Sequence, residues 1–293
     1  MNPENRLIFD IGMHNGDDTA FYLHRGYRVV AVEADPELAA AGRIRFEREI
    51  TADRLTLLNV GIAPEEGGAT FWLCEGRSEW NSFDRVAATR QGRSCRGIEI
   101  PCRRFHSILA EYGVPHYVKI DIETHDRHCL ADLQPSQLPQ YISIELTALA
   151  ELATLQSLGY DAFKLVWQGR HAAVQDETRT FTTWALRYAR PIAPLAWLMR
   201  KGSSLGRKLS RVWEKLGRLR SGEDARRGWI FPFGSSGPFG EEAPGAWVGF
   251  EEAAYRWLAI ERIYPGEVWC DVHATRLAGG ASLAASSSMR EAA

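Results

Sequence analysis

The sequence predicts an α/β fold: a doubly wound, mostly parallel sheet with a helical and loop insertion before its last strand. Three observations predict it. Between residue 7 and about residue 170, short runs rich in Val, Ile, Leu and Phe alternate with stretches of helical length, the pattern of βαβ units. Several runs are almost continuously apolar, as strands covered on both faces should be. The first run ends in a glycine-bearing turn, IFDIGMHNGDDT, where a doubly wound sheet presents a ligand crevice.

The elements follow in order. RLIFDIG reads as the first strand and DDTAFYLHRG as the first helix, with Gly26 at its left-handed end. YRVVAVEAD is the second strand. Asp35 can cap the helix PELAAAGRIRFEREI, with Pro36 in its first position. LTLLNVGIA is the third strand. GGATFWLCEG and RGIEIPCRRF read as a small antiparallel addition, and SEWNSFDRVAATRQG between them as a loop. YVKIDIE, the helix HDRHCLADL, YISIEL, the helix ALAELATLQSLG closed by Gly159, and FKLVWQG complete the alternation.

From about residue 177 the pattern changes. Arg200, Lys201, Arg207, Lys208, Arg211, Lys215, Arg218 and Arg220 share a basic segment with Leu205, Leu209, Val212, Trp213, Leu216 and Leu219 at helical spacing. A loop rich in Gly, Pro and aromatic residues follows, then a helix, FEEAAYRWLAIERI, and a last strand, EVWCDVHATR. The expected organisation is a core over residues 1–176, an insertion over 177–265, a closing strand over 266–277 and a low-complexity, disordered tail over 278–293. The basic face at 200–220 either packs on the core, covers an anionic acceptor, or touches lipid headgroups peripherally.

Composition narrows the class. The chain has 293 residues, 45% hydrophobic and 25% charged, enough for one large domain or two small ones. A net charge of −2 gives no overall drive towards nucleic acid. The five cysteines form no C-x-x-C pair, which favours reduced thiols over a disulfide framework or structural zinc. The polar N-terminus lacks a signal-peptide pattern, and no apolar run reaches about 18 residues. A cytoplasmic protein without a membrane span is therefore expected, in an oligomeric state the sequence leaves open.

The opening turn carries the chemistry. Gly12 and Gly16 allow backbone angles and close approach that a side chain forbids. A dinucleotide site needs G-x-G-x-x-G to receive pyrophosphate. Here only two glycines stand, and Asp10, Asp17 and Asp18 crowd the turn, so phosphate would be repelled. Such acids suit a cationic ligand, and S-adenosylmethionine, with its sulfonium and ammonium, is one. Glu33 ends the second strand about 20 residues after the turn, where an acid can accept ribose hydroxyls. His14 either joins the site or faces solvent.

IFDIGMHNGDDT and VVAVEAD, with LTLLNVGIAPEEGGATFW, WNSF, IEIPCRRFHSILAEYGVPHYVKIDIETHD and PQYISIEL, resemble the FkbM family within the class I S-adenosylmethionine-dependent methyltransferases. The resemblance covers about residues 6–170. It implies a Rossmann-like class I methyltransferase fold and an S-adenosylmethionine cofactor. It places Asp10, Gly12, Asn15 and Gly16 around the methionine end, Glu33 on the ribose, and Ala34 and Asp35 beside the adenine. The Asn59–Gly61 region lies near the adenine or the methionine end. Asp121 and Glu123 fall where the methyl group should emerge. The family signature usually reads K-I-D-V/I-E-G-x-E; Lys119, Asp121 and Glu123 match it, whereas Thr124 and Asp126 depart from it.

Three readings of Asp121, Glu123, His125, Asp126, His128 and Cys129 stay open. One carboxylate takes the acceptor hydroxyl proton as the methyl transfers. The group holds a divalent metal. Or the acids only start a helix, favoured by its dipole. The histidines lack a metal-protease spacing, and no metal is assigned. Lys119, inside an apolar strand, needs a carboxylate partner, and Glu145 of YISIEL is the candidate. His273 is placed weakly near the same mouth. KIDIET lacks the prolines and aromatic of nucleic-acid amine methyltransferases, which favours an oxygen acceptor. The expected activity is O-methylation of a hydroxyl on a small molecule or glycan. The alternatives are an NAD-binding oxidoreductase and a non-catalytic nucleotide-binding scaffold.

Overall fold

The computed structural model describes residues 6–123, 125–174, 223–224, 229–232, 234–264 and 269–277. The basic stretch at 200–220, Trp197, Trp213, Phe233 and the tail from 278 lie outside these residues. The described residues fall into two compact units. One is built from the chain up to Glu145 with Ala153–Asp161 and His273–Arg276, the other from Leu146–Leu152, the described part of Ala162–Val272, and Leu277.

The first unit contains β1 (Leu7–Ile11), α1 (Asp17–His24), β2 (Arg28–Val32), α2 (Pro36–Arg45), α3 (Glu47–Thr51) and β3 (Leu55–Leu58). Next come β4 (Gly61–Ile62), β5 (Gly67–Cys74), α4 (Arg85–Ala88), β6 (Cys95–Arg103) and α5 (Phe105–Tyr112). β7 (Tyr117–Ile120), α6 (Asp126–Asp132) and β8 (Tyr141–Glu145) follow. β8, β7, β1, β2 and β3 lie side by side in that order, every pairing parallel. β1 is thus flanked by its sequence neighbour β2 on one side and by the distant β7 on the other. In doubly wound sheets such a reversal of strand order marks the ligand crevice, here at the carboxyl ends of β1 and β7.

The apolar runs are buried as their composition requires: Ile8, Phe9, Ile11, Val29, Val30, Tyr117, Val118 and Ile120 are at most 1% exposed. Each such side chain, wholly removed from water, contributes about 1.5–3 kcal/mol. Asp35 caps α2 through Glu37 N at 2.8 Å, with Pro36 in the first turn. Gly26 and Gly159 follow α1 and α7 (Leu149–Leu158) with φ of 80° and 110°. β5 and β6 form the antiparallel addition, and β4 joins it through a parallel pairing with β6.

Three differences from expectation have local causes. LTLLNVGIA is two strands, not one, because Asn59 turns its side chain onto the carbonyls of Glu33 and Ala34 at 2.8 and 3.2 Å. FHSILAEY is a helix, α5, which the sequence reading did not separate from its flanks; Arg104 before it gives no side-chain cap. The expected loop at 78–92 contains α4, capped by Asp84 through Val86 N at 2.7 Å.

The second unit holds β9 (Ala162–Trp167), paired antiparallel with β10 (Ala172–Ala173), and β11 (Glu223–Asp224), paired antiparallel with β12 (Trp229–Ile230). α8 (Phe250–Ile263) follows. Within this unit Lys164 Nζ caps the carbonyls of Ala243 and Gly240 at 2.8 and 3.1 Å and lies 4.3 Å over the Trp247 ring. The last strand, β13 (Cys270–Thr275), straddles both units. All five cysteines are free. No helix among the described residues is long and apolar enough to cross a membrane.

Candidate active site

The turn after β1 is built for close backbone contact. Gly12, at φ 87°, donates its N–H to Val32 O at 3.0 Å. A Cβ on it would lie 1.9 Å from the Asp121 carbonyl oxygen, so the turn presses directly on the end of β7. Gly16, at φ 82°, is the N-cap of α1, and its missing Cβ leaves room for the Phe46 ring. Asn15 bridges the same helix start, accepting from Asp17 N at 3.0 Å and donating to Asp17 Oδ2 at 2.9 Å.

Four charged side chains meet beneath this turn. β1 and β7 pair with Asp10 opposite Lys119. Lys119 Nζ lies 3.5 Å from Asp10, 3.4 Å from Asp18 and 3.6 Å from Asp121, and donates to Gly12 O at 3.1 Å. Its ion pairs are therefore with these three acids and not with Glu145, the expected partner; the β1–β7 register brings it to Asp10. Burial pulls the Lys119 ammonium down, but Asp10, Asp121 and Asp18 more than offset it, so its pKa stands well above the ordinary value. Asp10 is fully buried and takes a hydrogen bond from Thr19 at 2.5 Å. Its Oδ1 faces Lys119 at ion-pair distance without a hydrogen bond. Burial pushes Asp10 up to about 6 against the pull of Lys119.

The end of β2 supplies a second acid. Glu33 accepts the backbone N–H groups of His14 at 2.6 Å and Asp35 at 2.8 Å. Burial pushes its carboxyl up to about 7, although both N–H bonds favour the charged form. His14 sits at φ 52°, with Nε2 2.9 Å from Ser78 Oγ, so it is half-buried and not simply solvent-facing. Burial pulls the His14 pKa down. Ala34 packs on the small cluster of Phe71, Ile100 and Cys102. Asp35 accepts from Asn81 Nδ2 at 2.9 Å, and Asn81 Oδ1 accepts from Cys74 N at 2.7 Å. Gly61 lies under the Phe83 ring, which a Cβ there would meet at 2.3 Å.

Beyond β7 the acids part company. Asp121 keeps a 30% exposed side chain beside Lys119. Glu123, at φ 46°, is held by both terminal nitrogens of Arg90 at 2.6 and 3.1 Å, and its carbonyl accepts from Ser82 at 3.3 Å. Burial raises the Glu123 pKa, and Arg90 opposes that rise. Asp126 turns back to accept Ile122 N at 3.1 Å, while His125 packs on Phe83 and His128. Cys129 is fully buried, and burial drives its thiol well above the ordinary value. Among the described residues, no three His, Cys, Asp or Glu side chains are grouped to hold a metal ion. His273 is buried within β13.

Sequence reasoning missed Ser78, Trp80, Asn81 and Arg90 as site neighbours. WNSF marked the segment, but nothing in its spacing assigned partners to these side chains.

A family model of the methyltransferase FkbM domain matches residues 10–162, just over half of the chain and the span that holds these residues. Among solved structures, methyltransferase FkbM from Methylobacillus flagellatus KT aligns at 18% identity over 52% of this chain and 38% of its own, with a TM-score of 0.36. Precorrin-6y C5,15-methyltransferase from Geobacter metallireducens GS-15 aligns at 17% identity over 55% and 66%, with a TM-score of 0.31. Precorrin 8w decarboxylase from Methanobacterium thermoautotrophicum aligns at 14% identity over 55% and 68%, with a TM-score of 0.33. The chain thus spans less than two thirds of the first two structures' own lengths. A search of curated protein sequences found no match. By the domain it carries, the chain belongs to the FkbM methyltransferase family.

Proposed function

We propose that this protein is an S-adenosylmethionine-dependent O-methyltransferase that acts on a hydroxyl of a small molecule or glycan. The observation that carries the reading is the turn after β1. Its backbone is bare at Gly12 and Gly16, and beneath it three carboxylates, Asp10, Asp18 and Asp121, surround Lys119, while Arg45 at its rim is matched by Asp17 at 2.9 Å. A cationic ligand fits that excess of negative charge, and a pyrophosphate does not. The buried Asp10 Oδ1, without a hydrogen bond, fits the same ligand.

The cofactor supplies an electrophilic methyl group on a sulfonium. On this reading Asp10, Gly12, Asn15 and Gly16 hold its methionine end. Glu33 keeps a lone pair on each oxygen for the ribose hydroxyls while His14 N and Asp35 N fix its position. Ala34 and Asp35 border the adenine, and Asn59 and Gly61 shape the loop behind them. Asp121, the more open carboxylate, takes the acceptor proton. Glu123, clamped by Arg90, holds the rim of the site. Proximity and alignment then account for most of the rate, since attack on a sulfonium methyl needs little further activation.

Calorimetric titration with S-adenosylmethionine, S-adenosylhomocysteine and NAD tests the cofactor. Tight NAD binding without S-adenosylmethionine binding would sink the reading. Transfer of a labelled methyl group to hydroxylated extracts tests the reaction: Asp121→Asn should bind cofactor and lose turnover, and a fully active variant removes its role as base.

A further inference from the structure

A cluster on the 77–93 segment enters the chemistry above only through Arg90, the clamp on Glu123. Trp80 is half-buried, and three guanidinium groups lie over its ring, Arg90 at 4.6 Å, Arg93 at 5.4 Å and Arg77 at 5.5 Å from the centroid. One cation on an indole is a common packing device. Three on one ring bring like charges together, and partial burial strengthens their repulsion. Carboxylates offset two of them: Glu79 lies 2.8 Å from Arg77, and Glu123 lies 2.6 Å from Arg90. Arg93 donates to the Glu75 carbonyl at 3.2 Å and forms no ion pair among the described residues. Arg90 Nε is buried and has no acceptor among them. A buried donor left unpaired is costly, so an oxygen there would be stabilised.

This cluster adjoins the crevice at two points. Arg90 grips Glu123, two residues beyond Asp121, and Ser78 meets the His14 ring. We propose that Arg90 and Arg93, seated on Trp80, form a subsite for an oxyanion substituent, a carboxylate or phosphate, on the methyl acceptor. The acceptor role rests on the function proposed above. The Arg93 fork suits such groups, because paired N–H donors match paired oxygens, while the terminal nitrogens of Arg90 stay on Glu123. Arg93 supplies the unbalanced charge and Arg90 the unpaired N–H. An acceptor lacking an oxyanion gains neither contact.

The test follows the arginine Nε–H resonances of isotope-labelled full-length protein. Inorganic phosphate and acetate are titrated separately, with chloride at matched ionic strength as control. The Arg90 and Arg93 resonances should shift saturably with at least one of the two oxyanions and not with chloride, and the tighter arm names the substituent. Arg93→Gln should weaken that binding about tenfold, the size expected for one lost charge-assisted hydrogen bond. Arg93→Lys keeps the charge without the fork and should fall between, which separates recognition from misfolding. Arg43→Gln, exposed on α2, should leave the affinity unchanged. Equal shifts in chloride, no saturable shift in either oxyanion, or an affinity unmoved by Arg93→Gln would each overturn the subsite and leave a packing cluster. These resonances are read without cofactor, so a failure of S-adenosylmethionine binding is seen separately in the calorimetry.

Discussion

Glu33→Gln separates what the site costs in stability from what it does. In the folded protein the Glu33 carboxyl has its pKa raised from 4.5 to about 7, chiefly by burial. The folded state therefore binds its proton more tightly than the unfolded chain does. That advantage is present at low pH and is lost as pH rises from 4.5 through about 7. Each pKa unit is worth about 1.4 kcal/mol, so ionising Glu33 removes about 3 kcal/mol of stability between pH 4.5 and 8. Glutamine cannot ionise and escapes this loss. It keeps one oxygen for His14 N or Asp35 N and leaves the other N–H facing its amide, at a cost of about 1–3 kcal/mol. Urea unfolding without cofactor, at pH 5 and pH 8, reads the balance. The variant should be clearly less stable at pH 5 and close to the wild type at pH 8. At pH 8 its S-adenosylmethionine affinity should still fall about tenfold, from the loss of a charged acceptor. A destabilisation of equal size at both pH values would refute the reasoning, because it would show that the raised pKa does not govern this carboxyl.

Three further outcomes are expected. Gly12→Ala should destabilise the protein by about 3 kcal/mol or more, since the new Cβ meets the Asp121 carbonyl at 1.9 Å and φ is 87°; thermal unfolding checks it, and a loss under about 1 kcal/mol would show that the turn can shift. Lys119→Met should cost about 3–5 kcal/mol at neutral pH by leaving Asp10, Asp18 and Asp121 around an apolar group, and the cost should shrink in acid as Asp10, which burial pushes up to about 6, protonates; denaturation curves across pH read both effects. Asp10→Asn should weaken S-adenosylmethionine binding about tenfold by calorimetry while affecting S-adenosylhomocysteine less, because only the former carries the sulfonium charge.

Much of the sheet and of the turn proposed to hold the cofactor was legible because its signals are local. The apolar runs, the Asp35–Pro36 cap, the glycines after β1 and the acid ending β2 each declare themselves within a few residues. The partner of Lys119 did not. Sequence order points to β8 and Glu145, whereas the register of β1 against β7 sets Lys119 opposite Asp10, a pairing between segments more than a hundred residues apart. α5 escaped because no capping side chain marks its start. The arginines on Trp80 escaped for a different reason: the segment has no periodicity, and Arg77, Arg90 and Arg93 meet only after α4 and the β5–β6 pairing fold it back.

The contact between Gly12 and the Asp121 carbonyl has a consequence for how such a protein can diversify. The loop proposed to grip the cofactor and the loop proposed to take the proton touch backbone to backbone, so neither can be redrawn without displacing the other. The 77–93 segment is under no such constraint, since its contacts with the two loops run through the side chains of Ser78, Ser82, Phe83 and Arg90. Side-chain contacts tolerate exchange. New acceptors are therefore expected to arise by rewriting that segment, while the two fused loops descend as one inherited part.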